Sequence, residues 1–94
     1  MALLSDYEVE HQLSSLDDWQ RTRGGEIERE LQLADFAAGL EFIQRVGALA
    51  EQANHHPDIL LHGWNKVRLT LSTHSEGGLT EADFNLARAI DGLS

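Results

Sequence analysis

The sequence predicts an α+β fold: a four-stranded antiparallel sheet with helices packed on one face, in the order α-β-β-α-β-β-α. Three observations lead to it. Glu26 to Leu33 and Lys66 to Thr73 alternate apolar-facing and polar-facing residues, the period of a strand with one wet face. Phe36 to Ala53 carries apolar residues at helical spacing. Ser5–Glu8 and Thr80–Asp83 have the hydroxyl-x-x-acid form of a capping box, which opens a helix. With 94 residues, the chain reads as one small domain over 1–94.

The elements follow in order. Ser5 caps a short helix over about 6–15, along which Val9, Leu13 and Leu16 recur at helical spacing. Trp19 to Thr22 is predicted as a strand and Arg23-Gly24-Gly25 as a turn, so that Glu26 to Leu33 returns as the second arm of a hairpin. Ile27, Arg29, Leu31 and Leu33 share one face of that arm; Glu28, Glu30 and Gln32 share the other. Asp35 caps the longest helix, about 36–53. Its predicted stripe is Phe36, Leu40, Ile43, Gly47 and Ala50, flanked by Val46 and Ala53. Gly39 and Gly47 each lower helix propensity by roughly 1 kcal/mol relative to Ala, and their small size lets another element approach. Asn54 tolerates a left-handed conformation and ends the helix, and Pro57 cannot continue it.

Ile59-Leu60-Leu61 is a short apolar strand, and Gly63 gives a bulge or tight turn before Trp64. Lys66 to Thr73 then places Val67, Leu69, Leu71 and Thr73 on one face. Gly77-Gly78 marks a loop. Thr80 opens the last helix, with Phe84, Ala87 and Ile90 as its apolar side and Gly92 at its end. The sheet leaves edges open, and a small domain can protect them by pairing with a copy of itself.

Composition narrows the function. Sixteen acidic residues against seven basic ones give a formal charge of −9. That field repels polyphosphate, so direct nucleic-acid binding is not expected, and an anionic membrane surface is disfavoured for the same reason. No apolar run approaches the ~20 residues of a membrane span. Met1-Ala2-Leu3-Leu4 lacks the basic start and long apolar stretch of a signal peptide. The absence of cysteine removes disulfides, zinc–thiolate sites and a thiol nucleophile. The expected location is the cytoplasm.

Chemistry concentrates in Glu51-Gln52-Ala53-Asn54-His55-His56-Pro57. Two histidines follow directly on a long helix, whose terminal carbonyls favour the imidazolium. Histidine titrates near neutrality and can give or take a proton at working pH. Glu51 precedes His55 by one helical turn, from where it can orient or charge-stabilise that ring. His74, at the end of the last strand, is a further candidate, and Asp83 opens the last helix. Structural alternatives stand beside these roles: a polar loop for His55 and His56, a solvated strand end for His74, a surface carboxylate for Glu51, and a capping acid for Asp83. Trp64 reads first as core or sheet packing and second as a ligand platform. His11 and His62 read as surface residues without partners. A metal site is not expected, because adjacent side chains rarely converge on one ion and no histidine pair has helical i, i+4 spacing.

The run E-x3-H-H-P from Glu51, then six residues to Trp64, nine to His74 and eight to Asp83, resembles the pterin-4a-carbinolamine dehydratase family. Asn65-Lys66-Val67, Leu69 to His74 and Gly77-Gly78-Leu79-Thr80 match as well, as do Trp19 and Phe36, so the resemblance covers nearly the whole chain. This chain has the longer of the family's spacings after Pro57, containing His62 and Gly63. The resemblance implies elimination of water from 4a-hydroxytetrahydropterin to give the quinonoid dihydropterin, in tetrahydropterin recycling. It implies His55, His56 and His74 as catalytic histidines, with His56 and His74 nearest the proton transfers, and Glu51 and Asp83 as carboxylates behind them. Ser72 and Thr73 would offer backbone hydrogen bonds to a flat pterin, and Trp64 would wall the pocket. No cofactor and no metal are implied. The expected partners are the pterin substrate and further copies of the chain, as a homodimer or homotetramer. The alternatives are a non-catalytic binding module, such as a dimerisation cofactor of a transcription factor, and a pterin-related role in molybdopterin metabolism.

Overall fold

In a computed structural model, which describes residues 2–93, the elements come in the predicted order. They are α1 (Asp6–Leu13), β1 (Gln20–Arg21), β2 (Ile27–Gln32), α2 (Phe36–Ala53), β3 (Asp58–His62), β4 (Lys66–Leu71) and α3 (Glu81–Asp91). A single 3-10 turn, His74–Glu76, follows β4. The four strands form one antiparallel sheet in the order β1-β2-β4-β3. β3 is therefore an edge strand, and β4 pairs with both β2 and β3.

Local chemistry sets the element ends. Ser5 and Glu8 make the reciprocal bonds of a capping box at α1, and Thr80 and Asp83 do the same at α3. Asp35 caps α2 by accepting from the Ala38 N–H at 2.8 Å. Asn54 closes α2 in the left-handed conformation, φ 49° and ψ 44°. The His55 N–H then reaches back to the Ala50 carbonyl at 3.1 Å, a bond that satisfies a helix-end acceptor. Gly63 (φ 55°) and Trp64 (φ 62°) form the tight turn from β3 to β4.

The core lies between the sheet and the helices. Ile27, Val67, Leu69 and Leu71 project from the sheet onto Val9 of α1, Phe42, Val46 and Ala50 of α2, and Phe84, Leu86, Ala87 and Ile90 of α3. Each large side chain buried there contributes roughly 1.5–3 kcal/mol. Arg29 also points inward, as the alternation of β2 requires, with its side chain only 11% exposed. Its guanidinium is held by Asp91 at 2.5 Å and Asp18 at 3.7 Å, and Trp19 Nε1 donates to the same Asp91 oxygen at 2.9 Å. A buried charge on an apolar face is tolerable because it is paired.

Helix α2 departs from the predicted stripe. Its buried line is Gly39, Phe42, Val46 and Ala50, whereas Phe36 is 50% and Leu40 46% exposed. A Cβ on Gly39 would lie 3.1 Å from Leu61 Cδ1, so the helix meets the sheet at this glycine and turns the neighbouring line inward. Among the described residues a Cβ on Gly47 would meet nothing within 4 Å, so none of their elements uses that gap.

Candidate active site

Three parts of the chain meet at His55: the exit from α2, the segment after β4, and the start of α3. The left-handed Asn54 turns the chain away from the helix axis before His55. His55 Nε2 lies 2.5 Å from Asp83 Oδ1. Asp83 is fully buried, and the His55 side chain is 14% exposed. A carboxylate can only accept, so Nε2 carries the hydrogen. The other Asp83 oxygen accepts from Thr73 Oγ1 at 2.8 Å and from the Thr80 N–H at 2.9 Å. Asp83 thus fills both roles read from the sequence, the capping acid of α3 and a carboxylate behind a histidine.

The same turn redirects Glu51. Its carboxylate bonds His56 Nε2 rather than His55, because His55 has left the helical face on which an i, i+4 pair would form. This pair is largely exposed, at 58% for His56 and 77% for Glu51.

His55 borders a depression of about 330 Å³ with Ala53, Asn54, Thr73, Ser75, Glu76 and Ala82. Next to it, an apolar groove of about 340 Å³ between α2 and α3 also touches His55 and is walled by Leu49, Leu86 and Ala89. His74 stands elsewhere. It borders a separate depression of about 220 Å³ with Ser72, the Gly24-Gly25-Glu26 turn, Gly77 and Gly78. Strand alternation explains the separation. Val67, Leu69 and Leu71 are buried, and Thr73 continues that side to reach Asp83, so Ser72 and His74 fall on the other side.

Within this one chain the three histidines therefore do not converge on a single depression. His55 and His74 flank the segment 72–74 from opposite sides, and His56 stands outside at the rim with Glu51. The backbone of Thr73 is already used, its N–H by Gly78 and its carbonyl by Glu76, Gly77 and Gly78, so what it offers the site is its hydroxyl. Trp64 is 61% exposed at the hairpin tip, neither in the core nor in a wall of these depressions. Its position follows from the positive φ that places it in the turn.

Two residues read as partnerless have neighbours. His62 Nε2 lies 2.6 Å from Glu30 Oε1 on the outer sheet face, and His11 stacks on Tyr7 at 6.1 Å. The His62 hydrogen bond, with Arg68 alongside, holds the Glu30 carboxyl below its ordinary range. The sequence reading missed Thr80 as a member of the His55 network; its capping box was visible, but the bond from its hydroxyl to Thr73 at 2.8 Å was not. It also missed Glu26 and the glycine turn beside His74, for which the sequence holds no signal. Among the described residues no three His, Asp or Glu side chains gather as a metal-binding group, and no helix is long and apolar enough to cross a membrane.

Comparison with known proteins shows the family and the fold. The family model described as pterin 4 alpha carbinolamine dehydratase matches residues 2–93. A protein of Chloroflexus aggregans that carries this dehydratase's name is 48% identical over 91 residues, covering 97% of this chain and 96% of its own. A similarly named protein of Roseiflexus castenholzii is 50% identical over 90 residues, covering 96% and 95%. The crystal structure of a transcriptional coactivator/pterin dehydratase from Brucella melitensis superimposes with a TM-score of 0.90 at 35% identity, over 96% of each chain. The chain belongs to the pterin 4 alpha carbinolamine dehydratase family.

Proposed function

We propose that this chain removes water from 4a-hydroxytetrahydropterin and releases the quinonoid dihydropterin, in tetrahydropterin recycling. The C4a–O bond breaks as the hydroxyl takes a proton and leaves as water; the N5 hydrogen passes to a base and the C4a–N5 double bond forms. Imidazoles supply both transfers without a metal or a nucleophile. The observation that carries this reading is the His55–Asp83 pair, an imidazole held at 2.5 Å by a fully buried carboxylate and bordering an open depression. His56 and His74 complete the set by family resemblance, and Glu51 steadies His56.

The chain works in the cytoplasm as a homodimer or homotetramer. Support for self-association comes from Phe36 and Leu40, left exposed on α2, and from Ile59 and Leu60 on the open edge strand β3.

The test is turnover of synthetic carbinolamine by the purified protein, taken above the spontaneous rate. Activity should persist after exhaustive chelation. His56→Ala and His74→Ala should each lower kcat by about 10²- to 10⁴-fold, while His11→Ala leaves it unchanged. If both catalytic variants keep wild-type kcat, the binding-module reading takes first place. The Brucella protein's description as a transcriptional coactivator is what favours that second reading.

A further inference from the structure

The depression beside His74 lies between two small loops, each closed on itself. In one, the Thr73 N–H donates to the Gly78 carbonyl at 2.8 Å and the Gly77 N–H returns to the Thr73 carbonyl at 3.0 Å. His74 belongs to this loop, as the first residue of its 3-10 turn. The other is the glycine turn, Gly24 to Glu26. There the Thr22 N–H donates to the Glu26 carbonyl at 2.8 Å, and the Glu26 N–H donates to Thr22 Oγ1 at 3.1 Å. The sheet joins the bases of the two loops, where Ile27 pairs with Leu71, but both loops extend beyond that last pair. Their internal bonds set the shape of each loop, and contacts from outside set the spacing between them.

One segment grips both loops. The Leu4 N–H donates to the Leu79 carbonyl at 2.9 Å, and Leu3 Cδ2 stands 3.1 Å from where a Cβ on Gly78 would lie. Gly78 has no side chain, so Leu3 bears on the backbone of the His74 loop itself. The Ser5–Glu8 capping box starts α1 directly after Leu4, which leaves no slack between this anchor and the helix. Asp6 and Glu10, one helical turn apart, both face Arg21 of β1, at 2.9 Å and 3.8 Å. Arg21 directly precedes Thr22, on which the glycine turn closes. Buried Val9 fixes α1 to the core. An exposed ion pair and a leucine that stays 53% exposed add little to global stability. What the two contacts share is the depression whose opposite walls they hold.

We propose that residues 3–10 form a brace across the His74 depression, with Leu3 and Arg21 as positioning residues: Leu3 seats the loop that carries His74, Arg21 ties the glycine turn to α1, and the brace between them fixes where His74 stands relative to that turn. The catalytic meaning of the brace rests on the dehydratase reading; its hold on His74 does not. A brace has a signature that two separate contacts lack. Releasing either end frees the spacing, so releasing the second end adds little.

The experiment is ring-¹⁵N NMR of the full chain labelled at histidine, with His74 assigned by His74→Gln, beside thermal melts and steady-state kinetics on synthetic carbinolamine. Leu3→Ala shortens a half-exposed side chain, and Arg21→Gln removes the charge opposite Asp6. Each should move the His74 ring resonances while the melting temperature stays close to wild type. Misplacing a reacting group by about 1 Å can cost ~10²-fold, so a wall freed by a fraction of that should lower kcat roughly 5-fold with KM little changed. Leu3→Met, of nearly equal volume, and Arg21→Lys, which keeps the charge, should restore both readouts. The Leu3→Ala/Arg21→Gln double variant should lower kcat little more than either single one, because both cut the same brace. His74 resonances that stay unmoved in Leu3→Ala or in Arg21→Gln overturn the proposal. A double variant whose loss is the product of the two single losses overturns it as well. Should the wild-type protein fail to turn over carbinolamine, the dehydratase reading falls, and the His74 ring spectra still decide the brace.

Discussion

The Glu51 carboxylate bonds His56, although His55 is the residue one helical turn away. Asn54 causes this by adopting the left-handed conformation between helix and histidines, at φ 49°. One backbone torsion thus hands His55 to Asp83 and His56 to Glu51.

The first prediction tests that torsion. Glycine takes the left-handed region freely, whereas a β-branched residue is opposed there by roughly 1–2 kcal/mol. Asn54→Gly should keep stability and turnover near wild type. Asn54→Val should lose stability on that scale in urea melts and lower kcat, since both imidazoles move. Equal stability for the two variants would contradict the account.

Arg29 is the second. Removing one partner of a buried ion pair typically removes about 3–5 kcal/mol, and partial exposure of Asp91 reduces the expectation to about 2 kcal/mol. Arg29→Ala should lower the urea midpoint accordingly. It should also change Trp19 fluorescence, because that indole donates to the same carboxylate oxygen. A loss below about 0.5 kcal/mol would place this pair with ordinary surface bridges.

Assembly gives the third. Phe36 and Leu40 stand exposed on a helix whose other side is fully packed. Replacing both with Glu should shift the protein to monomer in light scattering while its helical circular dichroism is retained. An unchanged oligomer would remove this face of α2 from the interface.

The fourth concerns pH. His62 holds the Glu30 carboxyl below its ordinary range by hydrogen bonding, with Arg68 adding charge. A carboxyl lowered in the folded state stabilises the fold above its unfolded pKa, and that contribution is lost as pH falls through the lower folded value. The window therefore opens at the ordinary glutamate range and extends to more acidic pH. The effect on stability is small, because the pair is partly exposed. Carboxyl NMR titration should show Glu30 moving up toward its ordinary range in His62→Ala, and an unmoved titration would contradict the pairing.

Signals carried by neighbouring residues were legible in the sequence alone. Both capping boxes, the Asp35 cap, the left-handed Asn54 and the alternation of β2 and β4 each need only a few consecutive residues, and each stands in the structure as read. Together they determined element order and fold class. The family likewise lay open in the spacing from Glu51 to Asp83. What tertiary structure decided was which of several equivalent neighbours wins. Helix α2 is apolar on two adjoining lines, and only the close approach of Gly39 to Leu61 selects the buried one. Arg29 shares a face with Ile27, Leu31 and Leu33, and only the packed fold brings Asp91, distant in sequence, to its guanidinium as counter-charge. Asp83 could cap a helix or hold an imidazole, and burial between α3, Thr73 and His55 made it do both. Helical and strand periods are local consequences of backbone geometry, whereas partner choice depends on distances between segments that are set only when the core packs.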